Sequence, residues 1–362
     1  IISVLPSVGF GGVEVGSVTA RASRGNDAPQ LIRLPRSRSI LVNKGLKNDG
    51  VDAIIPRILA AKVPDDFVVG VSVARTNDKE SAGEEEGIDD YCYSLRALHK
   101  AGAGRYYTLN ISCPNSFTGE LFTSAPALER LLTAVDLLAL TKPLYIKLPI
   151  SLPWEELRAL VDVIRAHRVS GVIVGNLHKN YALLAESEQT YCKKGGISGA
   201  PCRNTSTELI TKIRAYVGSG FTIIGCGGIF SPEHALEKIC AGANLTQLIT
   251  GMIYEGPALL SRIARIYAKA LNAKFYELSA VSAGKDDIKR ILDESTMLDP
   301  RPKVLFLDEI HRFNKAQQDF LLPSVESGRL TLIGATTENP SFEIISALLS
   351  RSRVFVLKSL TE

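Results

Sequence analysis

Tyr106-Tyr107-Thr108-Leu109-Asn110-Ile111-Ser112-Cys113-Pro114-Asn115 is a short strand-forming run that breaks into amides, a thiol and a proline. The same texture recurs on both sides of it. Strand-like runs occupy Val13 to Thr19, Val68 to Val73, Leu144 to Pro149, Gly171 to Asn176, Thr222 to Gly228 and Leu245 to Gly251, and most are followed by a helical stretch. The runs read as continuously apolar, the pattern of strands buried on both faces of a parallel sheet. Between them, Leu128, Leu131, Leu132, Val135 and Leu138 share one helical face, as do Leu157, Leu160, Val161 and Ile164. Ser231-Pro232-Glu233 is a helix start, with a capping hydroxyl, a proline at the first turn and an acid near the positive helix end. This repeat predicts an α/β fold, a (β/α)8 TIM barrel rather than an open doubly wound sheet. Nothing before Val13 supplies a complete first strand and helix, so the expected barrel lacks its first strand.

Past Leu271 the texture changes. Phe275 to Ser279, Val304 to Leu307 and Thr331 to Gly334 read as strands of a second, partial α/β segment. The expected domains are therefore residues 1–272 and 273–362. A length of 362 residues suits that count of two. Forty-two Lys and Arg against 38 Asp and Glu leave a net charge of +4, too slight to mark a nucleic-acid-binding surface. The six cysteines form no CxxC pair and no His stands at finger spacing, so no disulfide framework or metal site is indicated and a reduced, cytoplasmic setting is expected. No apolar run approaches the ~18 residues of a membrane span. The chain begins at Ile1 without Met, which suggests that upstream residues are absent.

In such barrels the working groups sit at the C-terminal ends of the strands. Cys113 would by residue type be a small buried hydrophobe. Its place between Asn110 and Asn115 in a polar loop turns the reading toward a proton acceptor. Lys147, inside a strand, requires a counter-charge, which a bound anion or an electron-rich ring would supply; the plainer alternative is a lysine reaching water at the strand mouth. Gly195 to Gly199, Gly225 to Gly228 and Thr250-Gly251 are glycine-rich exits at the last strands, where barrels hold phosphates on backbone N–H groups, and they point to a phosphate-bearing cofactor.

These residues resemble the dihydroorotate dehydrogenases, FMN flavoproteins of UMP biosynthesis. The resemblance runs from about Gly9 to Ala270 through Gly12 to Thr19, Gly25-Asn26, Leu34-Pro35, Asn48-Asp49-Gly50, Asn110 to Asn115, Gly195 to Gly199 and Gly225 to Gly228. It implies oxidation of dihydroorotate to orotate, a base removing the C5 proton while hydride leaves C6. It further implies Cys113 as the base and Asn48, Asn110, Asn115 and Asn176 as substrate-binding amides, Asn110 also meeting the flavin. Lys147 would stabilise the reduced flavin, Thr19 would lie near its ring, and Gly199, Gly227, Gly228, Thr250 and Gly251 would hold the FMN phosphate. The early motif is similar to the membrane-associated class, so quinone is the expected acceptor, with peripheral contact at the cytoplasmic membrane face through upstream residues. Cys113 departs from that class, whose base is usually Ser, and Lys47 stands where it usually has Asn. The family's first strand and its N-terminal helical extension are missing, and weak or no FMN binding is expected of the chain as it stands.

The tail resembles a replication-associated recombination ATPase of the AAA+ superfamily, through Leu305 to Lys315, Gly334 to Pro340 and Leu349 to Arg353. Asp308 and Glu309 would be Walker B acids, Asn339 a sensor and Arg351 a finger. No GxxxxGK[ST] loop exists anywhere in the chain, so these groups are expected to be vestigial. The competing expectations are a fused ATPase fragment carrying a barrel appendage, which the missing loop disfavours, and an FMN dehydrogenase of another dihydropyrimidine, which Asn115 disfavours.

Overall fold

The computed structural model describes residues 2–6, 10–112, 121–191, 194–260, 262–263, 274–293, 303–334, 336 and 343–351. The chain forms two compact units, Ile1–Leu259 and Leu260–Glu362.

In the first unit a seven-stranded parallel sheet runs in the order β1 (Gly12–Val18), β4 (Val68–Val73), β5 (Tyr106–Asn110), β6 (Leu144–Leu148), β7 (Gly171–Val174), β9 (Thr222–Cys226) and β10 (Leu245–Gln247). Each of the seven runs read from the sequence is one of these strands. The sheet curls. Gln247 Nε2 on β10 comes within 3.4 Å of Glu14 Oε2 on β1, although these strands are the two ends of the ladder.

Helices α1 (Val51–Leu59), α2 (Glu84–Lys100), α3 (Ala125–Asp136), α4 (Trp154–Ala166), α5 (Glu186–Gln189), α6 (Arg203–Val217), α7 (Pro232–Cys240) and α8 (Thr250–Glu255) lie between strands in the chain. Leu128, Leu131, Leu132 and Val135 of α3 and Leu157, Leu160, Val161 and Ile164 of α4 are buried in one core with Val71, Val73, Tyr107, Leu109, Ile146 and Leu148. Each such side chain contributes roughly 1.5–3 kcal/mol of hydrophobic stabilisation. Helix α7 starts as its sequence predicts, the Ser231 hydroxyl accepting from the His234 N–H and Pro232 standing at the first position.

The expectation of strands apolar on both faces holds for β7, all four of whose residues are buried. It fails for β1, β5 and β6, which alternate. Val13 and Val15 pack against the apolar core that Tyr107, Leu109, Ile146 and Leu148 join, whereas Glu14, Tyr106, Thr108 and Lys147 gather with Gln247 in a polar cluster. Period-two alternation is what a strand with two unlike faces requires. Tyr106 fits there because Gly70 on the neighbouring strand has no Cβ; one placed on it would lie 2.0 Å from the phenol ring.

A second sheet, antiparallel, joins β2 (Leu31–Leu34), β3 (Ser39–Val42) and β8 (Gly196–Gly199). Gly196 to Gly199 is therefore a strand, not a loop as its glycines suggested, because its backbone pairs with Ser39 to Val42. Thr250 and Gly251 likewise open α8 rather than ending a strand.

The second unit holds a parallel sheet of β11 (Lys274–Ser279), β12 (Lys303–Asp308) and β13 (Leu330–Gly334), with α9 (Lys285–Asp293), α10 (Lys315–Glu326) and α11 (Ser346–Leu349). Its own core includes Ile288, Leu305, Leu307, Phe313, Leu321 and Leu348. No described helix is long and apolar enough to cross a membrane.

Candidate active site

The C-terminal ends of β1, β4, β5, β6 and β7 carry one continuous hydrogen-bond chain. Ser72 Oγ lies 2.8 Å from Ser17 Oγ, which accepts from Asn110 Nδ2 at 2.8 Å. Asn110 Oδ1 accepts from Asn176 Nδ2 at 3.0 Å. Asn176 Nδ2 also stands 2.9 Å from both the carbonyl and the hydroxyl oxygen of Ser112, and that hydroxyl donates to the Lys147 carbonyl at 2.9 Å. Parallel strands with Asn110 beside Lys147 in register bring these groups to one level. Two of the sequence-predicted amides thus meet; Cys113 and Asn115 lie outside the described residues.

Thr19 is fully buried just past β1. Its hydroxyl donates to the Arg21 carbonyl at 2.6 Å and accepts from Asn48 Nδ2 at 2.8 Å. Asn48 Nδ2 also donates to the Leu46 carbonyl at 2.7 Å, while Asn48 Oδ1 accepts from the N–H groups of Gly50 at 2.9 Å and Thr19 at 3.3 Å. An amide offers two N–H bonds and two lone-pair directions, so the bonding of Asn48 is complete within the protein. Its side chain shapes the turn that presents Thr19.

Lys147 Nζ stands 3.8 Å from Glu14 Oε1. Burial opposes its charge, but the Glu14 carboxylate and the Cys226 sulfur outweigh that and hold the Lys147 pKa above its ordinary value. The required counter-charge is thus supplied by the protein itself.

Around the last strands, Ser198 Oγ lies 2.9 Å from Thr250 Oγ1. Gly199, Gly227 and Gly228 take φ of +87°, +109° and +72°, the left-handed region that favours glycine. A Cβ on Gly251 would lie 1.8 Å from the Ile229 carbonyl, so the start of α8 and the β9 exit pack backbone to backbone. The five residues predicted to hold a phosphate come together here, with the Ser198 hydroxyl against Thr250. Arg203 beside Gly228 is matched by Glu237 at 2.8 Å. Fully buried Lys238 donates to Ser206 Oγ at 3.1 Å and Thr207 Oγ1 at 3.2 Å, and burial pushes its pKa down to about 8. Backbone N–H groups at bare glycines, two hydroxyls, and carboxamides next to an ammonium form a donor set that fits a phosphate joined to a polar, electron-rich ring.

Sequence reasoning missed Ser17, Ser72, Ser112 and Glu14. The signal was present for Glu14: an acid between Val13 and Val15 in a strand must take the face opposite the valines. Among the described residues no group of three His, Cys, Asp or Glu is placed to hold a metal ion.

In the second unit Asp308 ends β12 and Glu309 follows it at φ +53°, with Glu309 Oε2 3.1 Å from His311 Nδ1. Arg351 Nε lies 2.5 Å from Glu326 Oε1 within the same unit. Asn339 lies outside the described residues.

Comparison with known proteins finds a family match for each part of the chain. Residues 2–271 match the family model described as dihydroorotate dehydrogenase, and residues 261–360 match that of the ATPase family associated with various cellular activities. The dihydroorotate dehydrogenase (quinone) of Burkholderia multivorans is 35% identical over 276 residues, spanning 74% of this chain and 78% of that protein. The enzyme of the same description from Gloeobacter violaceus is 36% identical over 274 residues, spanning 75% and 74%. A crystal structure of DHODH from Eimeria tenella in complex with ferulenol superposes with a TM-score of 0.66 at 25% identity, covering 73% of this chain and 76% of that one.

Proposed function

The chain belongs to the dihydroorotate dehydrogenase family, and from that premise we propose that its first unit oxidises dihydroorotate to orotate in pyrimidine biosynthesis, with FMN as cofactor and quinone as electron acceptor. It is an oxidoreductase joined to an AAA segment, the two family matches overlapping at residues 261–271, and we place the functional junction at 272/273. The observation that carries the reading is the linked pair of carboxamides, Asn110 and Asn176, at the strand ends beside Lys147.

Asn110, Asn115 and Asn176 orient the substrate, since each amide offers both a donor and an acceptor to a ring edged with alternating N–H and C=O groups. Asn48 contributes by holding Thr19 at the ring's edge. Lys147 lends positive charge, and Gly199, Gly227, Gly228, Thr250 and Gly251 take the phosphate on their backbone N–H groups. Bound there, FMN supplies an acceptor for the hydride that leaves C6 of dihydroorotate. Cys113, as thiolate, accepts the C5 proton, so that a C5–C6 double bond forms as two electrons leave. Quinone use sets the work at the cytoplasmic face of a membrane.

The test is anaerobic titration of the purified chain, extended upstream by the strand that the family adds, first with FMN and then with dihydroorotate. Uptake of yellow colour followed by bleaching of the flavin absorbance with formation of orotate is expected. Protein that stays colourless at saturating FMN, or stays yellow with dihydroorotate, overturns the proposal.

A further inference from the structure

The reading of Lys147 as the cation next to a flavin leaves its partner, Glu14, without a role. Glu14 Oε2 accepts from Thr108 Oγ1 at 2.8 Å, from the Tyr106 hydroxyl at 3.4 Å and from Gln247 Nε2 at 3.4 Å. Its other oxygen faces Lys147 Nζ at 3.8 Å, and the two side chains are only 11% and 20% exposed. Gln247 Nε2 also reaches the Tyr106 hydroxyl at 3.3 Å, and the Tyr145 ring meets the Tyr106 ring edge-on at 5.4 Å. Burial and the Glu14 carboxylate push the Tyr106 pKa upward, so this phenol remains a neutral donor. Glu14 is thus held by β5 and β10 while it faces the lysine on β6. An acid tethered by three donors sets the lysine's position; the lysine does not set the acid's.

We propose that Glu14 is a positioning residue of the redox site: its tethered carboxylate fixes where the Lys147 ammonium stands and how much of its charge reaches a bound flavin. The second half rests on the flavin reading; the first half holds with no cofactor present. The groups that face the pair are Tyr106 and Thr108 from β5, Tyr145 from β6, Cys226 from β9 and Gln247 from β10. Of these, Cys226 acts on Lys147 in the same direction as Glu14 but less strongly.

The first experiment uses the full chain without FMN and measures the pH dependence of trace acetylation of Lys147 by acetic anhydride, read by mass spectrometry. Glu14→Gln is expected to lower the proton affinity of Lys147 about tenfold, because burial then acts with less opposition. Glu14→Asp keeps the charge but withdraws it by one methylene, and is expected to move the profile the same way by less; it also serves if the amide variant does not fold. Profiles that coincide with the parent overturn the proposal. The second experiment measures the midpoint potential of bound FMN at pH 7, where Lys147 is still charged. With its carboxylate partner gone, the freed ammonium is expected to shift the oxidised-to-reduced ratio about tenfold toward reduction, which is ~30 mV positive for a two-electron couple. A null or negative shift in a variant that binds FMN overturns the proposal. A parent chain that binds no FMN even when extended upstream by the family's first strand overturns the flavin reading instead, and the acetylation result then decides the Glu14–Lys147 coupling alone.

Discussion

Ser112, the last described residue before Cys113, is held from two directions: Asn176 donates to its carbonyl and hydroxyl oxygens, and the hydroxyl in turn donates to the Lys147 carbonyl. The chain entering the proposed base is therefore anchored to β6 and to the β7 exit. A thiol ordinarily titrates near pH 8.5, so a cysteine base gains activity as pH rises toward that value, whereas a hydroxyl remains protonated far above it. Cys113→Ser is expected to retain FMN but slow its reduction by dihydroorotate about 10²-fold at pH 7, within the range that general-base catalysis supplies. Stopped-flow absorbance across pH 6–10 (roughly the span that brackets a thiol) checks this; superimposable profiles would remove Cys113 from the base role. At this scale the sequence was informative about residues whose chemistry is unusual for their position, such as Lys147 in a strand or Asn110 at its end. It was mute about Ser17 and Ser72, since a hydroxyl in a strand looks the same whether it faces a partner or water. Asn48 shows the converse: its type suggested a substrate amide, but only the folded turn reveals that Thr19, Leu46 and Gly50 take up its bonds.

Helices α3 and α4 are joined by more than their leucines. His167, just past the end of α4, places Nδ1 2.8 Å from Asp136 Oδ2 and Nε2 3.2 Å from Glu129 Oε1, both on α3. Burial opposes the imidazolium, but the hydrogen bond to Asp136 and the nearby Glu129 carboxylate outweigh it and raise the pKa above its ordinary value. A histidine raised in the folded state gives its full stabilisation below the unfolded pKa, about 6.5, and loses it as pH rises through the folded value. The link is expected to be worth under about 1 kcal/mol, as for other solvent-screened ion pairs. Thermal unfolding followed between pH 5.5 and 9 (approximately spanning both limits) should show a midpoint that falls with pH, and His167→Gln should flatten that slope; an equal slope in both proteins would refute the link. Elements were the most legible scale, because a leucine stripe or a Ser-Pro-Glu start depends on near neighbours alone. Gly196 to Gly199 was misread for the opposite reason. Its partner strand lies about 160 residues away in sequence, beyond any local pattern.

The whole molecule combines a redox barrel with a segment that carries acids suited to ATP chemistry but no glycine loop to seat the phosphates. Without that cradle, Asp308 and Glu309 are expected to have no nucleotide to act on. The full chain is expected to release no phosphate from ATP with magnesium above the protein-free rate, and Glu309→Gln to change nothing; release that the variant abolishes would show that ATP is held by other groups. The repeat of seven runs made the parallel sheet legible, since each run is long enough to stand alone. The curl of that sheet was expected from the count and spacing of the repeats, but the contact across its open margin was not legible. It depends on side chains from the first and last strands meeting, and Gln247 and Glu14 are 233 positions apart. That meeting has a consequence for motion. Strands β1 and β10 share no backbone ladder, yet their common side-chain clasp is expected to couple their breathing. Cutting it with Gln247→Leu is expected to quicken deuterium uptake at both margins together, and a change confined to one margin would mean that the clasp bears no strain.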